Sequence, residues 1–130
     1  MKTDKQLQEK LNELGFVYDS SVKKTKDHYK DDIGYYIQNK VIEFPITIMD
    51  AYLFTYMKVN EEKVISLIED VLKYSREINS EFNIISLLWH DNVLKMKGGR
   101  IYPKILEFLS SQDDVIMCNG IELVNKIKKI

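Results

Sequence analysis

Apolar residues recur at close to helical spacing in four segments of the chain. The clearest segment follows Asn60, where valine, isoleucine and leucine fall near the helical period and Glu61 and Glu62 suit the positive end of a helix dipole. Gly15 can end the first segment, and Pro103 lies in the first turn of the third, where its missing N–H is harmless. The predicted helices span residues 4–14, Asn60 to about Ile78, Tyr102–Ser110, and Asn119 to about Lys129.

Segments typical of strands lie between these helices. Phe82–Trp89 is almost continuously apolar, as in a parallel strand that is buried on both faces. Because Pro45 lacks the N–H that a ladder needs, Val41–Met49 is predicted to form an edge strand or two short strands with a break. The other predicted strands are Phe16–Tyr18 and Val115–Met117, and Val22–Lys40 is predicted to be a long loop.

The alternation of helices and strands predicts an α/β fold with right-handed crossovers and a parallel sheet. In such sheets the chemistry collects at the carboxyl ends of the strands. Asp19, Asp50 and His90 each lie at or just beyond a predicted strand end. We therefore expect these three side chains to point into one common region.

Composition narrows the classes of partner. The 130 residues form one predicted domain, 1–130, and 45% of them are hydrophobic, which is enough for a core. The net charge of −1 gives no field that would attract nucleic acid or an anionic membrane. The polar beginning of the chain and the lack of a long apolar stretch favour a cytoplasmic protein without a membrane span. Cys118, the one cysteine, cannot form an intramolecular disulfide, and a small buried hydrophobe is its favoured interpretation.

Histidine is scarce, because His28 and His90 are the only two in the chain. The chain has no His-x-x-x-His pair and no Cys-x-x-Cys pair, so a self-contained metal site is not expected. His90, at the exit of a predicted buried strand, suits a general acid, although a structural histidine that satisfies backbone groups is the alternative. Asp50 could accept a hydrogen bond from the His90 ring, or could simply form a turn. Lys23, with Lys24 and Lys26, is interpreted as part of a solvated loop face.

Three segments, in their order and at their intervals, resemble the C-terminal half of a polysaccharide deacetylase-like domain, of the family-4 carbohydrate esterases. The resemblance runs from about Leu7 to Ile127, and its most specific part is Leu-Leu-Trp-His at 87–90. The segments are Gly15–Ser21, Glu43–Asp50 and Ser86–Asp91.

This resemblance implies a distorted (β/α) barrel that uses a divalent metal such as zinc to hydrolyse the N-acetyl C–N amide bond of sugars. His90 matches the family's histidine acid, and Asp50 matches the aspartate that partners it. Leu88 resembles the apolar residue near the acetyl pocket. Trp89 is a candidate contact for a carbohydrate ligand, with core packing as the alternative. His90 and Asp50 are thus the candidate catalytic residues, and Leu88 and Trp89 are the candidate substrate-binding residues.

The chain departs from the family pattern in three respects. The family's Asp-x-x-Trp is Asp50-Ala51-Tyr52-Leu53, and Gly34-Tyr35-Tyr36 stands where relatives carry an arginine-containing Gly-Phe-Arg segment. The half that would hold the metal ligands and the base has no counterpart here. We therefore expect a partial barrel that lacks the N-terminal half and binds no metal of its own.

Two functions fit this expectation. The chain could be a deacetylase-like fragment that is inactive alone, or a non-catalytic remnant or interaction module that pairs with another chain. A half-barrel leaves strand edges unpaired, and unpaired edges template association. The expected partner is a second copy of the chain or a complementing N-terminal half.

Overall fold

The computed structural model describes residues 5–23, 29–50, 53–54, 58–78, 82–90 and 101–129. Within these ranges there are four α-helices and five short strands, so the predicted mixture of helices and strands is confirmed. The helices are α1 (Lys5–Glu13), α2 (Glu61–Glu77), α3 (Tyr102–Ser110) and α4 (Gly120–Lys128), and a 3-10 turn covers Lys30–Asp32. The strands are β1 (Tyr18–Asp19), β2 (Tyr36–Gln38), β3 (Val41–Glu43), β4 (Ile48–Met49) and β5 (Leu87–Leu88).

The helices follow the periodic pattern of the sequence closely. The α1 helix ends as predicted at Gly15, whose φ of 85° suits glycine, and the N–H of Phe16 then donates to the carbonyl of Leu11 at 3.0 Å. Asn119 caps α4: its side chain accepts from the N–H of Glu122 at 3.0 Å, and the Glu122 carboxylate accepts from the N–H of Asn119. Asn60 lies at the predicted start of α2, but its side chain makes no capping hydrogen bond.

The strands form two small sheets. In the first, β1 pairs in parallel with β3, and β2 pairs with β3 in antiparallel fashion. In the second, β4 pairs in parallel with β5. The strands on either side of Pro45, β3 and β4, confirm the predicted break, and they belong to different sheets. Among the described residues these two sheets do not close into a barrel.

Three predictions about strands were wrong. The segment 22–40 is not a simple loop, because β2 and the 3-10 turn lie within its described part. A hairpin joins β2 to β3 through Asn39 and Lys40, whose φ angles of 51° and 66° give the reversal that twisted strands need. Only Leu87 and Leu88 of the segment 82–89 pair in a ladder, and Ile84 alone among its residues is fully buried. Val115–Met117 joins no described strand, and Ile116 and Met117 are exposed.

The buried core has two parts that sit against the two sheets. One contains Ile48 of β4 with apolar residues of α2 and α3, and Leu87 and Trp89 pack against it. The other joins Ile42 and Phe44 to Ile84 and Val124, which places α4 against the first sheet. The first part therefore fixes the position of the strands that precede Asp50 and His90. Predictions for residues 4, 24–28, 51–52, 79–80 and 91 lie outside the described residues.

Candidate functional site

Asp50 and His90 lie at the same end of the second sheet. Ile48 pairs with Leu87 and Met49 pairs with Leu88, so each parallel strand leads directly to one of the two residues. Asp50 Oδ1 lies 2.7 Å from His90 Nδ1, and Asp50 Oδ2 accepts a hydrogen bond of 3.1 Å from the backbone N–H of His90. The predicted contact between these side chains is present in the structure.

The carboxylate defines how the imidazole can act. Asp50 is 8% exposed, whereas the His90 side chain is 50% exposed. Because a carboxylate accepts hydrogen bonds, Nδ1 of His90 carries the proton that faces Asp50. The second ring nitrogen, Nε2, is then the atom that can receive or release a proton at the exposed side. Histidine is the side chain suited to such exchange near neutral pH.

Leu88 is the last residue of β5, and Trp89 lies between this strand and His90. Leu87 and Trp89 pack against the core that contains Ile48. The Trp89 ring stacks on Tyr102 with ring centres 5.7 Å apart and meets Phe54 edge-on at 6.1 Å. Of the two candidate substrate-binding residues, Trp89 is therefore held by core packing, whereas Leu88 is a half-buried residue of β5 two positions before His90.

Asp19 belongs to a different cluster from Asp50 and His90. It ends β1 in the first sheet, in register with Glu43 of β3, and its Oδ2 accepts a hydrogen bond of 2.5 Å from Ser21 Oγ. The expectation that Asp19 faces the same region as Asp50 was wrong, because β1 pairs with β3 and not with the strands of the second sheet.

Glu43 is a buried acid that the sequence analysis did not single out. Its Oε1 accepts hydrogen bonds from the backbone N–H groups of Ser21 and Val22 at 3.1 and 3.0 Å, and its side chain is fully buried. Burial raises the pKa of Glu43 to about 7, and the hydrogen bond and charge of Asp19 add to this, against the lowering effect of the two N–H donors. The sequence did contain a signal for this buried acid, because Glu43 stands within the otherwise apolar segment Val41–Phe44.

A second buried charge cluster joins Lys23 to Asp32. Lys23 Nζ donates to Asp32 Oδ2 at 2.9 Å, and the two side chains are only 3% and 0% exposed. The interpretation of Lys23 as part of a solvated face was wrong, because its ammonium group is enclosed by Asp32 and by backbone carbonyls. The sequence signal was weak, since Asp32 lies nine residues further along in a segment without a regular period.

A cavity of about 620 Å³ lies apart from the Asp50–His90 pair. Its walls include Tyr18, Phe44 and Leu87, with Cys118 and the exposed Arg76–Asp114 ion pair also lining it. Neither Asp50 nor His90 belongs to this lining.

The donors needed for a metal centre do not gather in the described part of the chain. Within that part, no group of three or more His, Cys, Asp or Glu residues is arranged to hold a metal ion. No helix there is long and apolar enough to cross a bilayer. The described site thus consists of the hydrogen-bonded Asp50–His90 pair and two buried charge clusters.

The resemblance to the polysaccharide deacetylases rests on ordered segments of the sequence. Two of those segments supply β4 with Asp50 and β5 with His90. Comparisons of the chain with protein-family models, with curated proteins and with solved structures found no match, so that resemblance stays a prediction.

Proposed function

We propose that this chain carries the acid-bearing part of a hydrolytic site like that of the polysaccharide deacetylases. The observation that carries the proposal is the contact of 2.7 Å between Asp50 Oδ1 and His90 Nδ1 at the carboxyl ends of two paired parallel strands. A buried carboxylate behind a half-exposed imidazole is the arrangement that a general acid needs. The substrate class is an N-acetylated sugar.

The proposed chemistry is hydrolysis of the acetamide C–N bond. Water adds to the carbonyl carbon and gives its proton to a base that the complementing chain supplies, the C–N bond breaks, and the leaving sugar nitrogen takes a proton from Nε2 of the His90 imidazolium. Asp50 holds Nδ1 and stabilises the imidazolium before the proton is released. Leu88, two residues before His90, is the residue proposed to contact the acetyl methyl group.

The divalent metal of the family does not fit the residues described in this chain. Those residues present no group of three suitable ligands, and we route no step through a metal. Activation of the attacking water therefore needs residues other than Asp50 and His90. We propose that a complementing chain contributes these residues. We also propose that the two sheets are parts of a partial (β/α) barrel, a proposal supported by the parallel pairings β1–β3 and β4–β5.

A direct test measures acetate release from a chitooligosaccharide, with zinc added, by the wild-type chain and by His90→Ala. We expect both rates to equal the blank, because the described chain holds only the acid side of the site. Release by wild type that exceeds that of His90→Ala by about 100-fold or more would contradict inactivity while supporting the acid role. Equal release above the blank in both proteins would contradict the acid role.

Sugar binding is tested separately by NMR titration of the ¹⁵N-labelled chain with the same chitooligosaccharide. We expect the amide signals of Leu88 and His90 to shift, and those of Ile105 and Val124 in the buried core to stay unchanged. Signals at Leu88 and His90 that do not move at millimolar sugar would contradict a carbohydrate ligand.

A second candidate function is a non-catalytic interaction module. It is favoured by large apolar side chains that the described structure leaves exposed, among them Leu14 (64%), Ile37 (61%) and Ile116 (72%). Ile37 lies on β2, at the outer position of the first sheet, where a further strand can pair. The partner proposed is a second copy of the chain or a complementing half.

We expect the chain to self-associate as its concentration rises, because exposed apolar groups and free strand edges both favour association. Sedimentation velocity across a hundredfold concentration range measures this directly. Ile37→Lys adds a charge at the edge and should shift the equilibrium toward monomer, whereas Lys10→Gln on exposed α1 is the control. A monomer at high concentration, with cooperative unfolding, would contradict the pairing proposal.

A further inference from the structure

The ladder between β4 and β5 is short, although it holds Asp50 and His90 in hydrogen-bond contact. Each strand has two residues, yet the strands bring Asp50 and His90 to 2.7 Å. A slip of one residue would move a strand by about 3.3 Å and turn its side chains to the other face. Something at the start of the strands must fix their register.

Thr47 lies immediately before β4 and forms hydrogen bonds to Asp32 and Ser86. Its Oγ1 donates to the backbone carbonyl of Asp32 at 2.7 Å and accepts from the N–H of Ser86 at 3.0 Å. Its own N–H donates to the carbonyl of Ser86 at 3.0 Å. Ser86 immediately precedes β5, so Thr47 ties the beginnings of both strands together.

The buried Lys23–Asp32 ion pair also contacts Thr47. Lys23 Nζ donates to the carbonyls of Ile46 and Thr47, each at 3.1 Å, as well as to Asp32 Oδ2. Asp32 in turn accepts from the Thr47 hydroxyl through its backbone carbonyl, so Lys23, Asp32 and Thr47 are linked to one another by hydrogen bonds.

We propose that Thr47 is a positioning residue for the Asp50–His90 pair, and that its hydroxyl fixes the register of β4 against β5. Hydrogen bonds between Thr47 and Ser86 join the two strands at their beginnings, and hydrogen bonds between Asp50 and His90 join them at their ends. The importance of this register for proton transfer rests on the proposed function, but the register itself does not. Thr47 touches no reacting atom in this scheme.

The test compares Thr47→Val with Thr47→Ser. Valine keeps the shape but removes the hydroxyl, whereas serine keeps the donor and the acceptor. We expect Thr47→Val to lower the hydrogen-exchange protection of the Ser86 and His90 amides about tenfold, and the His90 ring ¹⁵N signals to lose their single Nδ1–H tautomer. Thr47→Ser should preserve both readouts. Amides of Ile68 in α2 report on the rest of the fold.

The proposal is overturned if Ser86 loses protection in Thr47→Val while the His90 amide and ring signals stay as in wild type. If Thr47→Val does not fold, exchange in the wild-type chain decides the matter. Ser86 and His90 should then open with the same free energy, and different opening energies would overturn the proposal. Neither readout needs acetate release, so failure of the proposed function and failure of this inference are distinguishable.

Discussion

Replacing Lys23 with methionine is expected to lower the free energy of unfolding by about 3–5 kcal/mol. The substitution keeps most of the side-chain volume but removes the ammonium group that faces Asp32 at 2.9 Å. Asp32 is 0% exposed, so its charge would stay buried without this cation. Two carbonyls, of Ile46 and Thr47, would lose a donor at the same time. Urea unfolding followed by circular dichroism measures the change.

The control for this substitution is an exposed ion pair in the same chain. Lys10 and Glu13 lie 3.5 Å apart on α1, and their side chains are 66% and 65% exposed. Lys10→Met should change the free energy of unfolding by less than about 0.5 kcal/mol. Adding Asp32→Asn to Lys23→Met should recover part of the loss, because no net charge is then buried. A loss below about 1 kcal/mol for Lys23→Met would contradict the importance of the pair.

The helices were predictable because each has enough length to show its own period. In α2, Val64, Ile68 and Val71 are all buried, as their spacing requires. Periodicity does not identify strands of two or three residues, because an alternation of apolar and polar residues cannot be recognised over so few positions. The strand β2 was missed for this reason. Its turn, Asn39 followed by Lys40, lacks the glycine that usually announces a hairpin.

The Asp50–His90 contact was predictable because parallel strands place their carboxyl ends side by side. That rule needs only the order of the strands, which the apolar segments supplied. The buried charges were not predictable by the same means. Whether Lys23 is solvated or enclosed depends on where Asp32 lies, and that depends on a turn without a regular pattern. Asp19 was misplaced because a single parallel sheet was expected, whereas the described strands form two sheets.

The raised pKa of Glu43 is expected to make stability depend on pH in the opposite sense to an ordinary carboxylate. Burial, with the hydrogen bond and charge of Asp19, raises the pKa of Glu43 from 4.5 to about 7 in the folded chain. The folded state therefore binds the proton more tightly than the unfolded state. The stabilisation is complete below pH 4.5 and is lost as the pH rises to about 7, with no further loss above it. The expected total is about 3 kcal/mol.

The measurement is the free energy of urea unfolding at intervals from pH 4 to pH 8, for wild type and for Glu43→Gln. Glutamine cannot titrate, so the difference between the two curves isolates the contribution of Glu43 from that of every other group. As the pH rises from 4.5 to about 7, the free energy of unfolding of wild type should fall relative to that of Glu43→Gln. The control is Glu62→Gln, at an exposed position of α2, whose curve should run parallel to that of wild type. Asp19→Asn should narrow the window, because it removes the carboxylate that helps to hold the proton on Glu43. Parallel curves for wild type and Glu43→Gln would show that folding does not raise the pKa of Glu43.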